Sequence, residues 1–371
     1  MSIMHRIAVL MICLLLSACA APRGAGFQAE VLGAADERAA DGSLVDNFAV
    51  FAVARDTLPI LRAWPSTSPN LYNWINRQAQ PASLIIAPGD LLEISIWDAE
   101  DNSLLANAGQ RVARLQQMQV AANGRIFIPF VGDLRVAGMA PDTARARIEE
   151  TLIESVPSAQ VQISVLPGRA NTANLVAGVN APGVYPLPDR NYTLLSLLAE
   201  GRGVQTSLTN PQVRLMRGND VYGTALSRLY DDPALDTTLV GGDRVIIEAE
   251  ERYFLSLGAT RSEALHIFPK EQVSALDALA IVGGVSDARA DPQGILILRE
   301  YADSAVRTDG SGPPQSRVVF TLDLTSADGL FSARRFMLQP NDLVYATESP
   351  VVVATSIAGL LRVAIGLSDS L

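Results

Sequence analysis

The 371-residue chain reads as a multidomain α+β protein that ends in a C-terminal transmembrane helix. Three observations predict this. A small α+β module occurs twice between residues 174 and 347. A compact unit of alternating strands and one helix precedes it, and the chain closes on an aliphatic run.

The first residues come before any fold. His5 and Arg6 supply a positive start, Ile7 to Leu16 is an unbroken apolar run, and Ser17-Ala18 precede Cys19. Such a run is too short to span a bilayer and has the layout of a secretory signal, residues 1–18. Leu16-Ser17-Ala18-Cys19 also resembles a bacterial lipobox. That resemblance implies cleavage before Cys19 and a covalent lipid on its sulfur, with more than one acyl chain for stable anchoring. Ala20 stands where an inner-membrane retention signal would carry Asp, which favours the outer membrane. Residues 19–83 read as a lipid-anchored tether, with a possible strand at Phe48 to Val53.

Residues 84–168 form the compact unit. Leu84-Ile85-Ile86 and Leu91 to Trp97 read as strands around a Pro88-Gly89-Asp90 turn. Asn123-Gly124, between Val120 and Ile126-Phe127-Ile128, signals a tight hairpin. Ala144, Ile148 and Leu152 share one face of a helix that Pro141 opens. Val161, Ile163 and Val165 alternate with polar residues as a closing strand.

The repeat occupies residues 174–250 and 252–347. Its first copy runs from Leu175 to Gly178, through a helix at Leu194 to Leu198 and Gly201-Arg202-Gly203, to a strand at Val213 to Met216. It ends on Gly242-Asp243 and Val245-Ile246-Ile247. The second copy runs from Phe254 to Gly258, through a helix at Ala275 to Ile281 and Gly283-Gly284, to Gly294 to Leu298, and ends on Asn341-Asp342. The spacing is 80 residues at Gly178/Gly258 and 99 at Asp243/Asp342, the growth falling in a Gly/Pro/Ser-rich loop near 301–316.

Residues 349–371 predict the membrane helix. Val351 to Leu367 carries only Thr355, Ser356 and Arg362 as polar interruptions. As a helix, Thr355, Gly359, Arg362 and Gly366 form one narrow stripe of polar and small residues. An arginine in hydrocarbon is costly unless it faces water or a partner. The stripe is therefore expected to line the lumen of an α-helical barrel formed by several copies, with glycines allowing close helix contact.

Charge and composition exclude several classes. Acidic residues exceed basic ones by 39 − 29 = 10, and Lys270 is the only lysine, so no basic patch for nucleic acid is expected. Cys13 and Cys19 are the only cysteines, and His266 is the only histidine beyond the signal. No His/Cys metal cluster and no Ser-His-Asp triad can be assembled, so no metal, no catalytic residue and no cofactor besides the lipid on Cys19 are expected. Asp90, Asp243 and Asp342, with Pro88, Gly89, Gly242 and Asn341, recur once per unit. They read as turn residues that bond local backbone N–H groups rather than as catalytic carboxylates.

Taken in order, these segments resemble the Wza-type polysaccharide export proteins. Pro88-Gly89-Asp90 and Asn123 to Pro129 followed by Gly132 resemble that family's export domain, and the two repeats resemble its SLBB β-grasp modules. The resemblance implies an outer-membrane lipoprotein, mostly periplasmic, that forms a homo-oligomeric ring, an octamer by resemblance, and exports capsular or extracellular polysaccharide. It also implies an inner-membrane co-polymerase or ABC exporter as partner, and no enzymatic activity. The alternative is an anchored periplasmic glycan-binding lipoprotein without a pore.

Overall fold

The computed structural model describes residues 24–33, 48–67, 73–80, 83–98 and 112–351. They fall into two compact units. One spans residues 70–250, and the other combines residues 1–69 with 251–371. The first strand, β1 (Phe48–Ala52), belongs to the latter and is described with it.

In the unit of residues 70–250, the stretch from residue 84 to residue 168 forms a three-stranded antiparallel sheet, with β2 (Leu91–Trp97) between β3 (Val112–Gln119) and β6 (Gln160–Leu166). Beside it β4 (Arg125–Ile128) pairs with β5 (Gly132–Arg135). Leu92, Ile94 and Ile96 project from one face of β2 because strand side chains alternate, and they meet Ala144, Ile148 and Leu152 of the helix Pro141–Leu152 in one core. One expectation changes here. Leu84-Ile85-Ile86 is no strand; Ile86 exchanges backbone bonds with Gly138 and Met139 and runs as a short extended link. The tight turn expected at Asn123-Gly124 is present, closed by Gly124 N–H to Ala121 O at 2.8 Å and Ala121 N–H to Arg125 O at 2.9 Å, and a second turn at Pro129-Phe130-Val131 leads β4 onto β5.

The first repeat follows with β7 (Thr172–Ala177), β8 (Gly183–Pro186), β9 (Gln212–Arg217), β10 (Asp220–Ala225) and β11 (Arg244–Glu248). Their spatial order is β10-β9-β11-β7-β8, with β11 parallel to β7 and the other pairs antiparallel. The helix Leu194–Glu200 covers the sheet with Leu194, Leu197 and Leu198. Residues 73–80 lie along this module: Trp74 Nε1 donates to the Leu235 carbonyl at 2.7 Å, and Arg77 N to Ala234 O at 2.8 Å.

The second repeat, in the other unit, is built from β12 (Tyr253–Gly258), β13 (Ala264–Ile267), β14 (Ala290–Glu300), β15 (Arg317–Leu322) and β16 (Leu343–Glu348). Its order, β15-β14-β16-β12-β13, repeats that of the first module strand for strand, and β16 is again parallel to β12. Each copy also carries an antiparallel strand pair and a second short helix that the sequence reading did not separate: β9-β10 with Leu226–Asp231, and β14-β15 with Ala327–Arg335. A sixth strand completes this sheet. β1 pairs in parallel with β15, Phe48 opposite Arg317 through Ala52 opposite Thr321. The helix Leu58–Ala63 then seats Leu58, Leu61 and Trp64 in the module core, where Trp64 meets Phe51 edge-on at 5.0 Å. Phe48 to Trp64 thus packs as part of the second module, although it lies inside the stretch expected to be a tether.

The fold class needs one correction. A C-terminal transmembrane helix was part of it, and with it an α-helical barrel. Among the described residues no helix is long and apolar enough to cross a membrane. The longest has 12 residues, against ~20 needed to span hydrocarbon. The seventeen-residue aliphatic run behind that expectation would reach only ~25 Å as a helix, short of the ~30 Å hydrocarbon core, and residues 352–371 lie outside the described residues. Thr355, Gly359, Arg362 and Gly366 lie outside the described residues, as do Cys19 and the signal.

Candidate functional site

The three recurrent aspartates are placed by three versions of one turn. Gly89 at φ +92°, Gly242 at φ +90° and Asn341 at φ +69° adopt the left-handed conformation that reverses the chain just before a strand. The next residue is a buried Asp whose carboxylate accepts the backbone N–H three positions earlier: Ala87 to Asp90, Val240 to Asp243 and Gln339 to Asp342, each at 2.8 Å. The remaining acceptor capacity is filled differently in each. Asp90 takes the Gly168 N–H and the Asn171 Nδ2, both at 2.7 Å, tying the entry of β2 to the exit of β6.

Asp243 and Asp342 instead receive a two-pronged arginine. Arg217, at the end of β9, donates from Nε at 3.0 Å and Nη2 at 2.7 Å; Arg299, near the end of β14, donates from Nε at 2.8 Å and Nη2 at 2.7 Å. Both guanidiniums also reach a carbonyl, of Thr238 and of Met337. The forked geometry matches a carboxylate with two parallel charge-assisted bonds. These arginines were missed by the sequence reading. The available signal was their common place at the end of the same strand in both copies.

The two locks differ in depth. The Arg217 side chain remains 27% exposed, whereas that of Arg299 is 4% exposed and lies over the rings of Phe320 and Phe336, both at 5.1 Å. Burial works to discharge the Arg299 guanidinium, but the Asp342 carboxylate and the Tyr301 hydroxyl more than offset it and leave its pKa above the ordinary arginine value. Burial likewise pushes the Asp342 carboxyl above its ordinary value, against the pull of the Arg299 guanidinium.

Pro88, Gly89, Asp90, Gly242, Asp243, Asn341 and Asp342 are thus structural fastenings at three separate places, and the fold does not gather them into one site. His266 is likewise engaged: its Nε2 lies 2.9 Å from the Oγ of the fully buried Ser256, and its ring stacks on Phe254. Among the described residues no group of three His, Cys, Asp or Glu could hold a metal ion.

Open polar surface lies elsewhere. The outer face of the β3-β2-β6 sheet presents Trp97 beside Glu93, Ser95, Arg114, Gln117 and Gln162 around a shallow depression of about 670 Å³, with Gln117 Nε2 bonded to Glu93 Oε1 at 2.8 Å. The β4-β5 hairpin displays Phe127, 64% exposed, and Phe130, 55% exposed with φ +65°.

The described residues thus carry a small α+β unit and two copies of a five-stranded module, each fastened by a buried carboxylate. Residues 78–166 match the family model described as polysaccharide biosynthesis/export protein. Among curated relatives, the capsule polysaccharide export protein BexD of Haemophilus influenzae is 28% identical over 280 residues, 71% of each chain. The Vi polysaccharide export protein VexA/TviF of Salmonella typhi is 26% identical over 339 residues, 90% of each chain, and the EPS I polysaccharide export outer membrane protein EpsA of Ralstonia nicotianae is 28% identical over 295 residues, 74% of each. The chain is thus similar to polysaccharide export proteins over 71–90% of its length, EpsA among them being named as an outer membrane protein.

Proposed function

We infer that copies of this chain assemble into a ring that conducts capsular or extracellular polysaccharide across the outer membrane without altering it chemically. The reading rests on the export-domain match at residues 78–166 and on relatives that carry export names over 71–90% of the chain. The site geometry supports it. All three recurrent carboxylates are consumed by backbone and arginine donors, so they offer no pair for acid–base work on a glycosidic bond. Amide and hydroxyl groups such as those around Trp97 can exchange hydrogen bonds with sugar hydroxyls and water at little net cost, which suits a surface past which a glycan must slide.

In this reading Cys19 carries the lipid anchor, no other cofactor takes part, and the driving force comes from an inner-membrane co-polymerase or ABC exporter. Deleting the gene is expected to abolish surface polysaccharide, and the wild-type gene to restore it. Electron microscopy of the detergent-extracted protein is expected to reveal a ring with an axial opening; a monomer without a cavity would overturn the conduit. A particle without an opening that still binds glycan through the Trp97 face would favour the anchored binding protein.

A further inference from the structure

The second module carries a groove on its surface. It runs between the helices Leu58–Ala63 and Ala327–Arg335, with a volume of about 410 Å³, within the usual range of ligand pockets. Leu58, 6% exposed, and Ser332, 2% exposed, are among the buried residues that line it, and Arg55, Arg62 and Arg335 line it with the half-open Phe331 ring, 66% exposed. Asp328 is the one carboxylate among the lining residues. Its Oδ1 is 3.5 Å from Arg55 Nε, so three guanidiniums face one carboxylate and the groove is left cationic.

The sequence is acidic overall, and in several other places an arginine pairs with a carboxylate, as Arg145 does with Glu149, Arg214 with Glu248 and Arg252 with Glu271. Among the described residues no ion pair engages Arg62, Arg335 or the adjacent Arg334. Arg62, Arg334 and Arg335 sit in last helical turns, where the helix dipole favours a cation, but that effect neither requires arginine nor draws two helices' arginines into one cleft. Nor does the module fold demand them: the corresponding helix of the first module, Leu226–Asp231, ends in Asp231-Asp232 and carries only Arg228.

We propose that this groove binds the carboxylate-bearing sugar residues of an acidic polysaccharide. Guanidiniums take the carboxylate through paired N–H donors, and the exposed Phe331 ring offers a flat apolar surface to the C–H face of a sugar. The proposal rests on the export reading and names its substrate class. On an acidic protein, a polyanionic chain is repelled almost everywhere, so a local cationic groove gives it a foothold.

The test is titration of the full-length, detergent-extracted protein with a galacturonic acid hexamer and, in parallel, a neutral galactose hexamer, at about 50 mM salt where exposed charges are weakly screened. The wild type binds the acidic hexamer and not the neutral one. Arg62→Gln with Arg335→Gln weakens binding by about tenfold, as does raising the salt, because both act on exposed charge pairs. Arg228→Gln in the first module changes nothing. Equal binding of the two hexamers, unchanged affinity in the double variant, or loss in that variant of binding to phosphatidylglycerol vesicles without loss of hexamer binding would each overturn the proposal. The export reading fails separately, only if deleting the gene leaves surface polysaccharide intact.

Discussion

The two repeated modules share a strand order and a fastening, yet one is sealed and the other open. In the first, Arg217 reaches Asp243 from a position still in contact with water. In the second, Arg299 and Asp342 are both buried, and Tyr301, Phe320 and Phe336 surround the guanidinium. The second module also recruits β1 and the helix Leu58–Ala63, whereas the first is accompanied by an extended segment, residues 73–80. A common turn chemistry has thus been set into two dielectric environments, and the same residue pair carries different energetic weight in each.

The sharpest way to break that equivalence is to remove one partner. Asp342→Ala leaves a buried guanidinium uncompensated and is expected to cost about 3–5 kcal/mol. Asp243→Ala leaves Arg217 able to turn to water and is expected to cost about 1–2 kcal/mol. Hydrogen exchange of the β14-β16 and β9-β11 ladders reads the two losses separately. Equal losses would mean that depth of burial does not govern the fastening. Replacing both partners, Arg299→Met with Asp342→Leu, sharpens the point. That pair is expected to recover most of the stability lost in the single variant, since apolar groups of similar volume replace a desolvated ion pair.

A second difference is the aromatic plug. Trp64 is 7% exposed, packs against Phe51, Tyr301 and Phe320, and donates its Nε1 to Gly310 O at 3.3 Å. Trp64→Ala is expected to cost about 3 kcal/mol and to free β1, seen as fast exchange along β15. Trp74→Ala in the first module, where the ring is only partly buried against the core, is expected to cost less than half of that.

The smallest expected effect concerns the helix starts. Ser274 and Asp277 form a reciprocal capping box, and Lys270 with Ser274 holds the Asp277 carboxyl down at about 2. A depressed carboxylate stabilises the fold above its ordinary pKa of 3.8, and that contribution is lost as pH falls through about 2. Asp277→Asn is expected to cost about 0.5–1 kcal/mol at neutral pH, with the cost shrinking as pH falls through about 2. The first module's helix has Ser196 at the same position, bonded to Thr193 Oγ1 at 3.4 Å, and Ser196→Ala is expected to show no acid dependence.

Much of this was legible because strand and turn signals are local. Alternation in Phe254 to Gly258, the glycine or asparagine before each Asp, and the repeated order of segments are all present in neighbouring residues. What escaped is non-local. Arg217 and Arg299 read as ordinary strand polar residues until the turn 26 or 43 positions later is brought to them. The partner of Phe48–Ala52 could not be read because a short β-rich run carries no mark of which edge it will join. Leu84-Ile85-Ile86 was apolar enough for a strand but had no free ladder to enter. The cationic groove escaped for the same reason, since Arg55 and Arg62 meet Arg335 only through the parallel docking of β1.

That docking also sets a timetable. β1 is made early, but its hydrogen-bonding partner, β15, begins at Arg317. Closing so long a loop is entropically slow, so the start of the chain must wait, unsatisfied, until nearly all of the polypeptide has emerged. The second module can be finished only after synthesis has passed the first. A chain halted before β15 leaves an exposed apolar edge that invites association, which makes this late stitch the step most in need of chaperone cover.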